Sequence, residues 1–444
     1  MSVVASQAIP EGYKQTDIGI LPFDWKIKSI GEFATVSSGG TPNRKVADYW
    51  NGDIPWVTTA LINGGDISYA NEFITAKGLD SSSAKMCKAG SILMAMYGQG
   101  KTRGKAGVLT INASINQACV AIDINTKNSK EYILQTLNYM YEEIRELSNS
   151  GGQENLSSGI IKSIKIPLPP EQEQTAIANA LSDVDALLTE LENLIAKKQA
   201  IKTATMQQLL TGKTRLPQFA THTEGEKKGQ PKGTKPSELD EIPEDWDVHL
   251  INDVIDSLSS GGTPFRGNPS FYKGKNRWIT SGELKYGIIN DTIEKISDDA
   301  IKKSHLKVHP EGTFLMAITG LEAAGTRGSC GIVGKPAATN QSCMAIYPNK
   351  KLTSQFLFYW YVYNGEELAL TYCQGTKQLS YTAGLLKTLP ILLPRNTTEQ
   401  SAIATILSDM DNETQTLEHR LKKNRQIKQG MMQELLTGRT RLPY

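Results

Sequence analysis

The sequence is a tandem repeat. When the chain is compared with itself at an offset of 221 to 226 residues, the same short motifs recur in the same order. The run Ser-Ser-Gly-Gly-Thr-Pro stands at 37–42 and 259–264, and the run Leu-Leu-Thr-Gly-x-Thr-Arg-Leu-Pro stands at 209–217 and 435–443. Solenoid repeats usually have periods of about 20 to 50 residues. Two long copies instead predict two similar halves, for which pseudo-two-fold symmetry is the natural arrangement.

Composition limits the class of protein. At roughly 100 to 200 residues per domain, 444 residues correspond to about two to four domains, and a hydrophobic fraction of 39% is ordinary for a globular chain. No run approaches ~18 consecutive apolar residues, so no membrane span is predicted. Residues 1–12 lack the basic start and apolar run of a signal peptide. The sequence therefore predicts a cytoplasmic protein.

Charge and cysteine content exclude several kinds of site. The 48 basic and 46 acidic residues leave a net charge of +2, so any contact with DNA must come from local clusters. The five cysteines are far apart and form no Cys-x-x-Cys, which argues against a disulfide framework and against a zinc site. We expect no metal ion in this chain.

Each copy has two unlike parts. The first ~150 residues are rich in glycine, β-branched residues and turn signals, with apolar runs such as Ser91–Met96, and they predict a mixed domain of short strands. One helix is predicted within it at Ser129–Leu147, with a counterpart at Thr353–Leu370, because Ser or Thr can cap the start. Long helices follow at about Pro170–Leu210 and Thr398–Leu436. The predicted fold class is α+β, with two pseudo-two-fold-related mixed domains separated by two long antiparallel coiled-coil helices.

A coiled-coil pattern marks both long helices. Apolar residues of the first helix alternate spacings of four and three, and those of the second follow the same pattern with Thr414 at one position. This averages to the 3.5-residue repeat of coiled coils and requires a partner helix. We expect the two helices to pair with each other; the alternative is that each packs on its own domain. About forty residues at ~1.5 Å each make a rod of roughly 60 Å, long enough to act as a spacer. The predicted helix-pairing residues are Ile177, Leu181, Val184, Leu188, Leu191, Ile195, Ile403, Leu407, Met410, Leu417 and Leu421.

Basic and amide side chains gather in glycine-rich loops at matching places in the two copies. No acidic residue lies between Asp80 and Asp123, where five basic residues fall. Such loops bring backbone N–H groups and cations against phosphates, and Arg, Lys, Asn and Gln read base edges in the major groove. Each loop alone is best explained as ordinary solvated surface; recurrence favours a shared binding role. The candidate DNA-binding residues are Gly40, Thr41, Asn43, Arg44, Lys45, Thr58, Thr59, Gln99, Lys101, Thr102, Arg103, Lys105, Gln153, Asn155, Thr263, Arg266, Thr280, Ser281, Thr326, Arg327, Gln374, Lys377 and Gln378.

One run of residues resembles a nucleotide-binding loop. Residues Ala95–Thr102 fit a relaxed P-loop, but a P-loop must run into a helix that faces the phosphates, and the sequence here continues as turn and strand. The histidines form no recognisable catalytic set, so no catalytic residue is predicted. Trp25, Trp56, Trp246 and Trp278 are better explained by core packing than by base stacking. A stand-alone P-loop-type NTPase and a coiled-coil protein adaptor are the alternatives to a DNA-recognition chain.

Three motifs recur in order in both copies. Ser-Gly-Gly-Thr-Pro precedes an aromatic pair and a tryptophan, and a Gln-Gly or Gly-Gln precedes a proline-rich strand. Glu-Gln-x-x-Ile-x-x-x-Leu-Ser-Asp opens each long helix, at Glu173–Asp183 and Glu399–Asp409. With this ordered double set, nearly the whole chain resembles the specificity subunit of type I restriction-modification systems.

The resemblance implies a division of labour between subunits. Two target-recognition domains would each read one half of a split site in double-stranded DNA, and the helices would measure the unread spacer. Two methyltransferase subunits and the restriction (translocase) subunits would be the protein partners, and they would use S-adenosylmethionine, ATP and Mg²⁺, whereas this chain would hold no cofactor. The predicted divisions are target-recognition domain 1 at 1–168, long helix 1 at 169–212, a linker at 213–236, target-recognition domain 2 at 237–395 and long helix 2 at 396–438. The linker is predicted from its glycine, lysine, threonine and proline content, which is typical of a flexible connection.

Overall fold

Two units of dense internal contact make up the chain. The structure is a computed structural model that describes residues 9–98, 101–148, 155–321, 326–373 and 379–443. The first unit comprises Met1–Glu192 with His419–Tyr444, and the second comprises Asn193–Glu418. Each unit therefore contains part of both long helices.

The first unit holds a five-stranded and a four-stranded sheet, ordered β4-β12-β9-β10-β6 and β7-β5-β11-β8. Its strands are β1 (Tyr13–Thr16), β2 (Gly19–Pro22), β3 (Lys26–Ser29), β4 (Ala34–Ser38), β5 (Trp50–Val57), β6 (Asp66–Ile67), β7 (Glu72–Ile74), β8 (Met86–Cys87), β9 (Ile92–Ala95), β10 (Ala106–Leu109), β11 (Ala113–Ile115), β12 (Cys119–Ile124) and β13 (Lys165–Leu168). Its helices are α1 (Ile30–Phe33), α2 (Ala76–Asp80), α3 (Lys130–Tyr139), α4 (Tyr141–Glu146), α5 (Ser158–Ser163) and the first part of α6 (Glu171–Leu210).

The second unit repeats this topology, with sheets ordered β17-β24-β21-β22-β19 and β20-β18-β23. Its strands are β14 (Thr234–Ser237), β15 (Asp240–Pro243), β16 (Trp246–Leu250), β17 (Ile255–Ser260), β18 (Asn276–Ile279), β19 (Gly287–Ile289), β20 (Lys295–Ile296), β21 (Phe314–Ala317), β22 (Cys330–Val333), β23 (Ala337–Thr339), β24 (Cys343–Pro348) and β25 (Pro390–Pro394). Its helices are α7 (Asp298–Lys303), α8 (Ser354–Tyr372), α9 (Ala383–Lys387) and the first part of α10 (Thr397–Leu435). The five-stranded sheets match strand for strand, as the sequence repeat predicts.

The central strand of the first five-stranded sheet is buried on both faces. Ile92 and Met94 of β9 lie in the core shared with α3, whereas Leu93 and Ala95 face a second apolar cluster. Alternate residues of a strand point to opposite faces, so a strand covered on both sides reads as an unbroken apolar run. Residues Ile92–Met96 are all apolar for this reason.

The predicted capping residues begin the helices that cover the sheets. Ser129 Oγ accepts a hydrogen bond from the backbone N–H of Tyr132, and Thr353 Oγ1 accepts one from that of Phe356, both at 3.2 Å. The helix predicted in the first copy is confirmed, although it breaks at Met140 into α3 and α4. Among the described residues, no helix is both long and apolar enough to cross a membrane.

Within each unit the segments of α6 and α10 run antiparallel. In the first unit Lys428 pairs with Asp185 and Arg425 with Glu192, each at 2.7 Å, so the partner number falls on α10 as it rises on α6. The second unit keeps the same order in its two pairs, Lys198 with Glu413 and Lys202 with Asp411. These charges are partly exposed, so each pair adds little stability, about 1 kcal/mol or less. They do show the register of the helices.

The predicted helix-pairing residues divide between two environments. Ile177 and Leu181, near the start of α6, join the core of the first unit, and Leu435 near the end of α10 joins the same core. Ile403 and Leu407 likewise join the core of the second unit. Leu191 and Ile195 are buried, whereas the remaining five are half-buried, namely Val184, Leu188, Met410, Leu417 and Leu421. The start of each long helix therefore packs on its own domain, and the end of the other helix completes that packing.

A buried carboxylate anchors the start of α6. Glu173 has no exposed surface and accepts hydrogen bonds from Trp25 Nε1 at 3.1 Å and from Arg441 Nε at 2.6 Å. Arg441 also binds Asp24 through both terminal nitrogens, at 3.0 and 2.8 Å. Arg441, in the second Thr-Arg-Leu-Pro run, thus binds the start of the first long helix. Gln174 adds a second anchor, because its Oε1 accepts the N–H that begins α3 at 3.0 Å.

The second unit contains the same anchor. Arg215 binds Glu399 at the start of α10 with two hydrogen bonds of 2.8 Å, and binds Asp245 at 2.7 and 3.1 Å. Burial raises the pKa of the Glu399 carboxyl above its ordinary value, although Arg215 opposes the shift. Arg215 lies in the stretch predicted as a linker, 213–236. That stretch also contains a short 3₁₀ helix at Pro217–Phe219 and an isolated bridge.

The two units differ where β8 ends. Cys87 pairs with Ala113 in the first unit, and His309 takes this place in the second, paired with Ala337. His309 is fully buried, with Nδ1 2.6 Å from Tyr347 Oη and Nε2 3.3 Å from Thr339 Oγ1. Burial, helped by Lys307, lowers the pKa of His309 to about 4.

This histidine predicts that the second unit loses stability in mild acid. The ordinary pKa of histidine is about 6.5, so between about pH 6.5 and 4 the unfolded chain binds a proton that the folded chain does not. When the pH falls from 7 to 5, His309 is expected to lower the free energy of unfolding of the second unit by about 2 kcal/mol. Above pH 7 it should have no effect. Urea unfolding at the two pH values should show a smaller pH dependence in His309→Gln than in the exposed-site control His419→Gln. Equal pH dependence in the two variants would contradict this account.

Candidate nucleic-acid interface

Each Ser-Gly-Gly-Thr-Pro run forms a loop held tightly against its sheet; we call residues 38–45 and 260–267 the SGGTP loops. The N–H of Gly39 donates to Cys119 O at 3.1 Å, and that of Gly40 to Ile115 O at 2.9 Å. A Cβ on Gly39 would overlap the carbonyl oxygen of Asn116. Glycine is therefore needed here for close backbone approach. Gly40, a candidate DNA-binding residue, is buried and holds the loop in place.

A tryptophan donates a hydrogen bond to the backbone of each SGGTP loop. Trp56 Nε1 donates to Gly40 O at 2.9 Å, and Trp278 Nε1 donates to Gly262 O at 3.0 Å. Both indole rings are buried, as are Trp25 and Trp246. The prediction that these four tryptophans pack in the cores is confirmed.

An arginine lies on the aromatic rings in each SGGTP loop. The Arg44 guanidinium carbon is 3.8 Å from the centre of the Trp50 ring, and that of Arg266 is 4.3 Å from the centre of the Tyr272 ring. A cation placed over the face of an aromatic ring is attracted to it. Both side chains are about half exposed, so one side of each guanidinium can still meet a ligand.

Two glutamates that the sequence interpretation missed orient these arginines. Glu72 binds both terminal nitrogens of Arg44, and Glu294 binds those of Arg266 at 2.6 and 2.8 Å. The hydrogen bonds from each arginine lower the pKa of its partner carboxyl. Each glutamate follows its arginine by 28 residues. That shared separation was the signal in the sequence.

The threonines of the SGGTP loops bind a matching pair of glutamines. Thr41 Oγ1 donates to Gln117 Oε1, and Thr263 Oγ1 donates to Gln341 Oε1. Asn43 and Lys45 project from the first loop and are exposed. The two loops thus share their backbone anchors, stacked arginine, glutamate and threonine–glutamine contact.

The basic loop of the first unit is a turn packed on α4. Tyr141 Oη donates to Lys101 O at 2.6 Å, Lys101 is exposed, and Thr102, Arg103 and Lys105 are half-buried. The second unit has a comparable turn. There Arg327 Nε donates to Leu321 O at 3.1 Å, and Thr326 and Arg327 are half-buried.

Other candidate residues lie at strand ends or outside the described chain. Thr58 and Thr59 are half-buried beside the 3₁₀ helix Thr59–Leu61. Thr280 bonds Glu283 through its hydroxyl at 2.8 Å, at the start of the 3₁₀ helix that includes Ser281. Asn155 is exposed. The residues outside the described part of the chain are Gln99, Gln153, Gln374, Lys377 and Gln378.

The P-loop-like run lacks the structure that phosphate binding by a P-loop requires. After Lys101–Gly104 the chain enters strand β10, so the turn leads into a strand and not into a helix. The N-terminal dipole of a helix is the feature that holds phosphates in such sites. In the described ranges, no cluster of three or more His, Cys, Asp or Glu side chains is placed to hold a metal ion.

The repeated loops and helices match a known family. The family model described as the type I restriction modification DNA specificity domain matches residues 22–203 and 243–429. The chain belongs to this family. This specificity chain therefore provides the DNA specificity of a type I restriction-modification system. The NTPase and adaptor alternatives find no support.

Individual relatives agree with this assignment. The specificity subunit of type I restriction enzyme MjaVIII from Methanocaldococcus jannaschii is 27% identical over 448 residues, covering 97% of this specificity chain and 96% of the relative. The MjaIX specificity subunit from the same organism is 26% identical over 318 residues, covering 69% of each chain. A crystal structure of an S subunit from M. genitalium superposes with a TM-score of 0.58 at 14% identity, covering 93% of this chain and 96% of that one. At that identity the likeness establishes a shared fold.

Proposed function

We propose that each unit reads one half of a split DNA site, with its SGGTP loop and the neighbouring basic turn facing the duplex. One observation carries this proposal: the same clamp of arginine, glutamate and aromatic ring recurs in both units beneath different exposed side chains. A common clamp suits a common way of docking on DNA, and different side chains suit different bases. The site is therefore asymmetric and not palindromic.

The long helices act as the spacer in this proposal. Within each unit their segments run antiparallel and in one register, which supports a structural role for the helices. If both units approach one face of the duplex, the half-sites lie about one helical turn apart, roughly 34 to 36 Å. The bases between them would go unread.

Catalysis, in this proposal, belongs to other subunits. Two methyltransferase subunits and the restriction (translocase) subunits would dock on this chain, using S-adenosylmethionine, ATP and Mg²⁺, and the chain itself would be non-catalytic. Support comes from relatives named as specificity subunits of restriction enzymes. A second similar solved structure, with a TM-score of 0.54, comes from work on complex assembly and conformational transition of a type I R-M system.

Exchange of one unit's recognition part tests the proposal. Replacing residues 15–165 with the matching part of another specificity subunit is expected to change one half of the methylated motif and to leave the other half intact. Methylation sequencing of cells that carry the complex measures both halves at once. The matched control replaces 237–395 and should change only the complementary half. The assignment of one half-site to each unit would be rejected if one exchange changed both halves of the motif. It would also be rejected if neither exchange changed the motif.

A further inference from the structure

The two SGGTP loops differ at one projecting position. Asn43 follows the proline in the first loop, and Phe265 follows it in the second. Both residues open the same backbone turn, since the N–H of Val46 donates to Asn43 O and that of Asn268 donates to Phe265 O, each at 3.1 Å. The side chains at 43 and 265 therefore leave equivalent points of equivalent loops.

Phe265 is held in place while its ring stays in solvent. Its side chain is among the most exposed of the large apolar residues, with 72% of its surface accessible. The ring rests beside Gly267, where a Cβ would come within 2.5 Å of two ring atoms. The first loop has Lys45 at the position of this glycine. Glycine thus makes room for the ring next to the backbone.

The ring stands next to an arginine whose position is fixed. Arg266 is fixed by Glu294 and by stacking on Tyr272, so the residue before it in sequence has a defined position. An exposed aromatic ring next to a fixed cation has the chemistry to touch a base edge while the cation faces the backbone. Among base edges in the major groove, the apolar feature is the 5-methyl group of thymine.

We propose that Phe265 is a specificity-determining residue and that its ring contacts the 5-methyl group of a thymine in the half-site read by the second unit. This inference rests on the proposed function. The first unit offers different chemistry at the same point. Asn43 Oδ1 already accepts the N–H of Lys45 at 3.0 Å, which leaves its amide N–H groups as donors.

Removal of single methyl groups tests the contact. The probe is a synthetic duplex that carries the motif found by methylation sequencing, bound by the complex of this chain with its methyltransferase subunits. Each thymine of the second unit's half-site is replaced in turn by deoxyuridine, which lacks only the methyl group. At one position we expect binding by the wild-type complex to weaken about fourfold, the effect of one methyl-sized apolar group.

The variants decide whether Phe265 makes that contact. Phe265→Ala is expected to bind the thymine and deoxyuridine duplexes equally, whereas the matched Asn43→Ala should keep the fourfold difference. Because residue 265 is exposed, the substitution should leave the urea midpoint of unfolding of the chain unchanged.

Several results would overturn the inference while leaving the proposed function intact. They are a second half-site without thymine, no deoxyuridine position that weakens wild-type binding, and a Phe265→Ala complex that still distinguishes the two duplexes. Equal weakening of all duplexes by Phe265→Ala would mean that the ring contacts a protein partner or the DNA backbone. A wild-type complex that methylates no bipartite motif would instead reject the proposed function itself.

Discussion

Replacing Arg215 with alanine is expected to lower the free energy of unfolding of the second unit by about 3 to 5 kcal/mol. Arg215 is 11% exposed and is the hydrogen-bonding partner of Glu399, which is 2% exposed. Without the guanidinium, a buried carboxylate must either stay charged without compensation or take up a proton. Because burial already raises the pKa of Glu399, its protonation should reduce the loss as the pH falls.

Urea unfolding of the full chain with hydrogen exchange measures this loss unit by unit. The expected result is faster exchange in α10 near Glu399 and in β16, which follows Asp245. Lys213→Ala is the matched control, because Lys213 is exposed and lies two residues earlier. A loss below about 1 kcal/mol in Arg215→Ala would show that the pair behaves as an ordinary surface salt bridge.

Gly261→Ala is expected to destabilise the second unit by about 3 kcal/mol and to displace its SGGTP loop. A Cβ at this position would overlap both the carbonyl oxygen and the hydroxyl of Thr339, which belongs to strand β23 and cannot move freely. Displacing the loop also displaces Arg266. Binding to the half-site of the second unit should therefore fall, while the half-site of the first unit is still recognised.

The neighbouring glycine provides the control. In Gly262→Ala the nearest atom to the new methyl group is the end of the Leu306 side chain at 3.0 Å, which can turn aside. We expect this variant to lose less than about 1 kcal/mol. Calorimetric unfolding and duplex binding should separate the two variants clearly. If both variants kept the wild-type stability and duplex binding, the loop would tolerate a side chain at either position.

Local patterns made much of the fold predictable. The run Ser91–Met96 predicted a short strand, and Ser129 and Thr353 predicted helix starts, because these signals depend on neighbouring residues only. The repeat predicted a shared topology, because similar sequences bury similar faces. Periodicity alone could not show that Ile177 and Ile403 pack in the domain cores, since the same spacing suits a partner helix and a domain surface.

The partners within the candidate site were less predictable, because sheet register creates them. Strands β5 and β7 pair so that Trp56 stands opposite Glu72, which brings this glutamate to Arg44. The sequence of the SGGTP loop itself does not indicate that Glu72 binds Arg44. Similarly, composition made the stretch around Arg215 resemble a flexible linker, whereas its ion pairs with Glu399 and Asp245 form only after distant segments fold together.

The exchange of helix ends between cores has a consequence for biosynthesis. Residues Asn193–Glu418, which make up the second unit, have all been added to the nascent chain before the ribosome reaches Leu435 and Arg441. The first unit needs both of these residues, so although it is begun first it is completed last. Until the ribosome has added Arg441, the Glu173 carboxylate lacks its guanidinium partner, and the core of the first unit is unfinished.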